Sequence, residues 1–332
     1  MRLRAVAAVT AACVVAAFAA VAWLATSPTP TLGEHPVIVE IPAHVSTLDI
    51  ARLLEEHGTV HHRWLAIAIS GVRGQVRSLK AGEYEFPRGS SPLAVMRTIE
   101  TGRVRQHAVL HAEGATLNEL ARALESERLA AAADVLRVAS DPAFLAAQRI
   151  SGPTAEGYVF PDTYYFVRGM RAEEMLGRMV QRMRTKLGSD IEERARGRGM
   201  SLHQLLTLAS IVEREAVSPD EMPVIAAVFW NRLKRDMPLQ ADPTVQYAVQ
   251  KERGTLTRSD LERDHPFNTY RNVGLPPGPI ASPGLRAIEA ALDPAPVKYL
   301  YFVAIDERRH HFSTTVEEHN AAVARYRRWR GR

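Results

Sequence analysis

Hydrophobic positions divide this chain into one long apolar run followed by short segments that alternate between strand and helix periods. No charged residue occurs from Ala5 to Ala25. About 20 apolar residues suffice to cross a bilayer core as a helix. Val37 to Ile41 alternates like a strand. Thr47 to His57 reads as a helix behind Ser46, a capping residue type, with Asp49 in its first turn and Gly58 as the stop. Arg63 to Ser70 is a second short helix, Lys80 to Phe86 a turn into a strand, and Ser91 opens a helix through Glu100 that Gly102 ends. Val104 to His111 is a strand and Leu117 to Glu125 a helix. Ala130 to Ala147 reads as one helix and Arg171 to Leu187 as an amphipathic one.

The strongest helical pattern begins at Ser201, the expected cap. Leu205, Leu206, Leu208, Ala209, Ile211, Val212 and Ala216 form one broad apolar face, with Thr207, Ser210 and Arg214 opposite. At about 100° per residue, Glu213 falls at one margin, beside Leu206 and Ala209, and Glu215 at the other, between Leu208 and Ile211. A carboxyl held against an apolar wall is how a protein makes a general acid. Periodicity does not choose between the two glutamates. Ser218-Pro219-Asp220-Glu221 then starts a helix that runs through Val224 to Leu233. Met237 to Thr244 reads as a loop fixed by two prolines, and Asn268 to Tyr270 with Gly274 to Ile280 as a second rigid loop. Tyr299 to Ala304 reads as a buried strand, His311 begins another element, and Thr315 to Trp329 closes the chain as a helix.

The segment from Ala155 to Phe166 is rich in aromatic residues. It admits two readings: a packed strand-turn-strand, or rings that stack on sugars while Glu156 and Asp162 bond hydroxyls. Ile50 to Glu55 and Leu120 to Glu125 echo each other, each behind a strand, which suggests two small βα units.

The 332 residues are 46% hydrophobic and 24% charged, as in a folded globular protein of one to three domains. A formal charge of +5 suits acidic polymers or membrane surfaces without specifying either. Cys13 alone allows neither an intrachain disulfide nor a cysteine metal site. The histidine pairs His61-His62 and His310-His311 lack the spacing of a helical metal motif, and no metal or cofactor is expected. Nucleic-acid binding is not indicated. The basic end, Arg325 to Arg332, reads as a solvated tail or a contact with wall carboxylates or lipid head groups. Arg2 and Arg4 precede the apolar run and no cation directly follows it, so the N-terminus is expected in the cytoplasm and the body outside. Cleavage at Ala20-Val21-Ala22 is the alternative to an uncleaved anchor.

The strings ASIVEREA, VFWNRL, LQADPTVQYA, NTYRNVGLPPGPIASPG, YLYFVA and HFSTTVEEHN, in this order, with AGEYEF and EGYVFPDTYYF upstream, resemble the endolytic murein transglycosylase family (YceG-like, MltG type) over essentially all of the chain beyond the linker. The resemblance implies an α+β protein: a cytoplasmic tail (1–4), a single transmembrane helix through the lipid bilayer (5–25), a linker (26–36), a small LysM-like βα domain (37–150) and a mixed α/β catalytic domain (151–332) in the periplasm. It implies cleavage of the MurNAc–GlcNAc β-1,4 bond of peptidoglycan glycan strands to leave a 1,6-anhydro end. It also implies a partnership with peptidoglycan synthases. The family's acid is the second glutamate of its E-[KR]-E motif, here Glu215. Related transglycosylases follow that glutamate with Ser or Thr, where this chain has Ala216. The chain also has Asp306-Glu307-Arg308-Arg309 where a glycine-rich turn is common.

The residues expected to contact sugar or N-acetyl groups are Asn231, Gln240, Asp242, Thr244, Tyr247, Asn268 and Glu156. Hydrogen bonds that brace loops are the competing use of such side chains. Two other functions remain open on sequence: a hydrolytic muramidase, in which Asp242 or Glu213 is a second carboxylate, and a wall-binding scaffold without catalysis.

Overall fold

The computed structural model describes residues 2–29, 35–74, 79–251, 254–306 and 309–330. The middle of the expected linker (30–34), positions 307 and 308 of the turn before His310, and the end of the basic tail lie outside the described residues. The protein is α+β, and among the described residues its strands pair as three two-stranded sheets, β1–β2, β3–β4 and β5–β6, each introduced below. Contacts divide the chain into two compact units: Met1–His107 with Tyr165–Gly169, and Ala108–Tyr164 with Met170–Arg332. The sequence placed its boundary at 150. The contact division falls earlier because the segment after His107 packs with later helices.

Unit 1 begins with α1 (Arg2–Thr26), followed by β1 (Val37–Ile41), α2 (Thr47–Glu56), α3 (Arg63–Val72), β2 (Gly82–Phe86) and α4 (Pro92–Thr101). Strands β1 and β2 are antiparallel, with Val39 opposite Tyr84. Val39, Ile41, Leu54, Leu65, Tyr84, Phe86, Val95 and Ile99 form the core between this sheet and the helices. Ser46 caps α2 in a full capping box with Asp49, as the local sequence predicts. From Ala8 to Thr26, α1 is long and apolar enough to cross a membrane, and protein covers almost none of it. Its last turn differs: Leu24 and Ala25 pack into the unit's core. Thr29 is buried, and its N–H donates to Ser90 O, so the chain just after α1 is held to the unit instead of leaving as a free linker.

Unit 2 takes up the chain within β3 (His107–His111) and continues through α5 (Leu117–Ser126), α6 (Ala132–Ala139), α7 (Pro142–Ala147) and the start of β4 (Asp162–Phe166, which ends in unit 1), then α8 (Ala172–Leu187) and α9 (Ile191–Gly197). It is completed by α10 (Leu202–Glu215), α11 (Met222–Leu233), α12 (Asp242–Ala248), α13 (Arg258–Glu262), α14 (Leu285–Leu292), β5 (Tyr301–Ala304), β6 (His310–Ser313) and α15 (Val316–Arg330).

Four local expectations change. The helix expected over 130–147 is two, because Asp141 caps a new start with Pro142 at its first position. The aromatic segment gives one strand, β4, and not two. Tyr158 and Phe160 before it are 5% exposed and belong to the core. Asp242-Pro243-Thr244 is the first turn of α12 rather than loop. Strand β5 is half-buried throughout, not buried.

The centre of unit 2 is α10. Its stretch Leu205–Val212 is buried on every side, where the pattern predicted one apolar face. The polar residues Thr207 and Ser210 fit inside because each hydroxyl donates to a carbonyl of its own helix: Thr207 to His203 O at 2.7 Å and Ser210 to Thr207 O at 2.7 Å. Helices α11 and α14 pack against it, and Phe229, Ala287, Ile288 and Ala291 on them are fully buried. Replacing Ile288, which is fully buried, by Ala should destabilise the protein by about 2–5 kcal/mol, measured by denaturant unfolding.

Candidate active site

The capping box of Ser201 and Gln204 fixes where α10 begins, and its burial fixes its orientation. Its last turn leaves the apolar core carrying Glu213, Arg214 and Glu215. The two glutamates separate, as their positions on the helix require. Glu213 accepts the N–H of Gly284 at 2.9 Å. Burial raises its pKa, the Gly284 N–H opposes this, and the Glu113 carboxylate raises it further.

Glu215 meets different partners. Burial raises its pKa from 4.5 to about 8, and the neighbouring Asp242 carboxylate adds to the rise. The guanidinium of Arg232, the backbone N–H of Asp242 and the guanidinium of Arg214 pull the other way. The residue as a whole is only half-buried, so the carboxyl is walled by protein while the side chain keeps an opening to solvent. A carboxyl in this setting keeps its proton at neutral pH.

Three elements build these surroundings. The first is the turn into α12. Gln240 adopts the left-handed region, φ 48°, which costs a non-glycine residue about 1–3 kcal/mol. The turn is held by Gln240 N–H donating to Thr269 O at 3.1 Å and Ala241 N–H donating to Thr269 Oγ1 at 3.0 Å. Asp242 follows, exposed, and accepts the hydroxyl of Tyr270 at 2.6 Å. The second element is α11, which carries Arg232. Its Nε donates to Leu300 O at 2.7 Å, and its Nη1 to Leu239 O at 2.7 Å and Pro238 O at 3.4 Å. The guanidinium also lies 5.4 Å from the centre of the Tyr301 ring. The third is α15, whose His319 stacks on Tyr301 at 5.3 Å. Burial lowers the pKa of His319, and Arg232 and then His311 lower it further.

The expected contact residues fall into two groups. Asp242 and Gln240 lie exposed at the turn beside Glu215. The others brace the fold. Thr244 is fully buried and bonds Ala241 O and Thr269 Oγ1. Asn268, also fully buried, donates to Leu261 O and Arg263 O. Asn231 donates to Val297 O and Tyr299 O, both at 2.9 Å. Glu156 is 3% exposed and accepts the N–H of Leu117, at the start of α5, at 3.1 Å. Its other partners are the N–H of Gly157 and the hydroxyl of Tyr247, which ties it to α12. Tyr247 also packs on Phe267, ring centres 4.9 Å apart.

Sequence reasoning missed Arg232, Tyr270, Tyr301 and His319. Arg232 had a signal: it sits four residues after Val228 and three after Phe229, both fully buried, so helical spacing turns it inward. Tyr270, Tyr301 and His319 join the site through partners 28 or more residues away, or from another helix, which no local pattern reports.

A family model described as the YceG-like family matches residues 39–325, beginning after the apolar helix. A Bacillus subtilis (strain 168) protein named endolytic murein transglycosylase is 32% identical over 309 residues, covering 87% of this chain and 84% of that protein. A protein of the same name from Streptococcus pneumoniae serotype 2 is 31% identical over 323 residues; the match covers 87% of this chain but 58% of the pneumococcal one. A crystal structure of a YceG-like protein from Listeria monocytogenes has a TM-score of 0.61 and 34% identity, covering 87% of this chain and 99% of that one.

Glu156 provides a test by linkage. Burial, its largest influence, raises its pKa from 4.5 to about 8. The folded protein therefore holds a proton between these values that the unfolded chain releases. That stabilisation is complete below pH 4.5 and is lost as pH rises to 8. Glu156→Gln, which mimics the protonated form, should flatten the fall of stability across this window. The variant should melt higher relative to the native protein at alkaline pH than at pH 5, as followed by thermal unfolding.

Proposed function

This chain belongs to the YceG-like family, and on that premise we propose that it is a membrane-anchored endolytic lytic transglycosylase of nascent peptidoglycan strands. Glu215 serves as general acid and then as base. The observation that carries this reading is the carboxyl of Glu215, walled by protein beside Asp242 and Arg232, whose burial raises its pKa.

The chemistry runs through one group. Glu215 gives its proton to the oxygen joining MurNAc C1 to GlcNAc C4, and the C1–O bond breaks. Positive charge develops at C1, where the Asp242 carboxylate provides electrostatic support. The sugar's own C6 hydroxyl then bonds C1, and its proton passes to the Glu215 carboxylate. The product is a 1,6-anhydro end, and no water is consumed. Intramolecular attack carries a large effective-molarity advantage over water. Gln240 and Asp242, exposed at the strained turn, are the side chains best disposed to bond sugar hydroxyls or N-acetyl groups. Tyr270 holds the Asp242 carboxylate in place.

The N-terminal helix would act as the anchor, with Arg2 and Arg4 on the cytoplasmic side and the body in the periplasm. Unit 2, which contains Glu215, would be the catalytic part. The order β1-α2-α3-β2, with its two strands antiparallel, supports the LysM-like reading for unit 1. One observation favours a second reading, hydrolysis: a carboxylate pair, here Glu215 and Asp242, is the usual equipment of a hydrolytic glycosidase.

Mass spectrometry of un-crosslinked strands separates these readings. Anhydro-ended fragments are expected, and fragments one water heavier would replace the lyase with a hydrolase. Glu215→Gln should lower the rate by about 10²–10⁴-fold, and unchanged cleavage would remove Glu215 from the mechanism. The acid form is the active one, so kcat/KM should fall as pH rises past about 8. Asp242→Asn removes the charge that raises Glu215. In a pH–rate profile the alkaline limb should therefore move to lower pH.

A further inference from the structure

Within unit 2, beside the candidate catalytic residues, lies a cavity of about 300 Å³. Arg214 and Pro243, the chain neighbours of Glu215 and Asp242, are in its wall. Nothing in the mechanism above uses it. The described residues lining it include two cations, Arg214 and Lys251, and the amide side chains of Asn118, Gln246 and Gln250, but no aspartate or glutamate. Lys251 bonds Asp260 at 2.6 Å, and its side chain is 42% exposed. An ammonium carries three N–H groups, so two remain beyond that bond. Arg214 donates to Gly114 O at 3.0 Å.

This lining suits a particular part of a murein strand. In an intact strand the amino sugars are neutral. The carboxylates of the strand are on the short peptide joined through the lactyl group of each muramic acid. The bond cleaved in the proposed reaction leaves from C1 of a muramic acid, and that same sugar carries the peptide. A peptide subsite must therefore lie within one sugar of the catalytic carboxyl, and the cavity is walled by Arg214 and Pro243, the chain neighbours of Glu215 and Asp242. A further sugar ring is a poorer occupant. The aromatic rings here, Tyr247 and Phe267, are tilted 45° and packed on each other, so they offer no open flat face.

We propose that this cavity is a subsite for the stem peptide of the muramic acid being cleaved, with Lys251 pairing a free carboxylate and the Gln250 amide bonding the peptide backbone. The proposal rests on the reading of the chain as a murein-cleaving enzyme, but its test does not need turnover. The whole protein would be titrated calorimetrically with N-acetylmuramoyl-L-alanyl-D-glutamic acid and with the same compound in which both glutamic carboxyls are amidated. The free acid should bind about tenfold more tightly, the scale of one charge-assisted hydrogen bond. That preference should shrink with added salt, disappear in Lys251→Gln and survive in Lys251→Arg.

Asn118→Asp places a negative charge at an exposed position, with little risk to folding. It should weaken binding of the acid and leave the diamide unchanged. Equal binding of acid and diamide by the native protein, or an intact preference in both Lys251→Gln and Asn118→Asp, would overturn the subsite. Selective binding without strand cleavage would keep the subsite and defeat the transglycosylase reading. Cleavage without discrimination would do the reverse.

Discussion

The arrangement depends on keeping one carboxyl group uncharged. Ionising Glu215 inside its wall would leave a negative charge short of water and close to a second one on Asp242, so the proton stays. The rest of unit 2 can be read as the means of holding that wall in place. Helix α10 is buried all round, so its last turn cannot shift toward solvent. The strained turn at Gln240 directs Asp242 and its N–H at Glu215. Ser210 on α10 accepts the N–H of Ile280, which joins the second proline-rich loop to the same helix.

Much of this was legible because helix starts are local events. Ser46, Ser91 and Ser201 each cap the helix that follows, as residue type and position predict. The echo between residues 50–55 and 120–125 is also real locally. Both copies follow a capping box, at Ser46 and Thr116, although they fall in different units. Helical spacing also set Glu213 and Glu215 on different sides, where they meet Gly284 and Asp242 respectively.

What sequence did not reveal is mostly long-range. Glu156 meets the start of α5 across 39 residues, and Asn231 meets carbonyls 66 and 68 residues ahead. Thr244, Asn268 and Asn231 carry the right chemistry for sugars, but the same donors satisfy buried carbonyls, and burial decides between the two uses. Ala216 offers no hydroxyl, and the groups that meet Glu215 are the Asp242 N–H and the guanidiniums of Arg232 and Arg214.

Arg232 has a consequence of its own. Main-chain carbonyls of Leu300, Leu239 and Pro238 hold its guanidinium, and an aromatic ring lies beside it. A charge tied down in this way cannot swing toward the carboxylate as Glu215 gives up its proton in the proposed reaction, nor retreat when the proton returns. It behaves as a stationary electrode, and the field it casts is the same at the start and the end of a proton's round trip. Little reorganisation is then required of the surroundings as the charge on Glu215 changes. A lysine in its place would bring the charge without the planar fork that keeps it still.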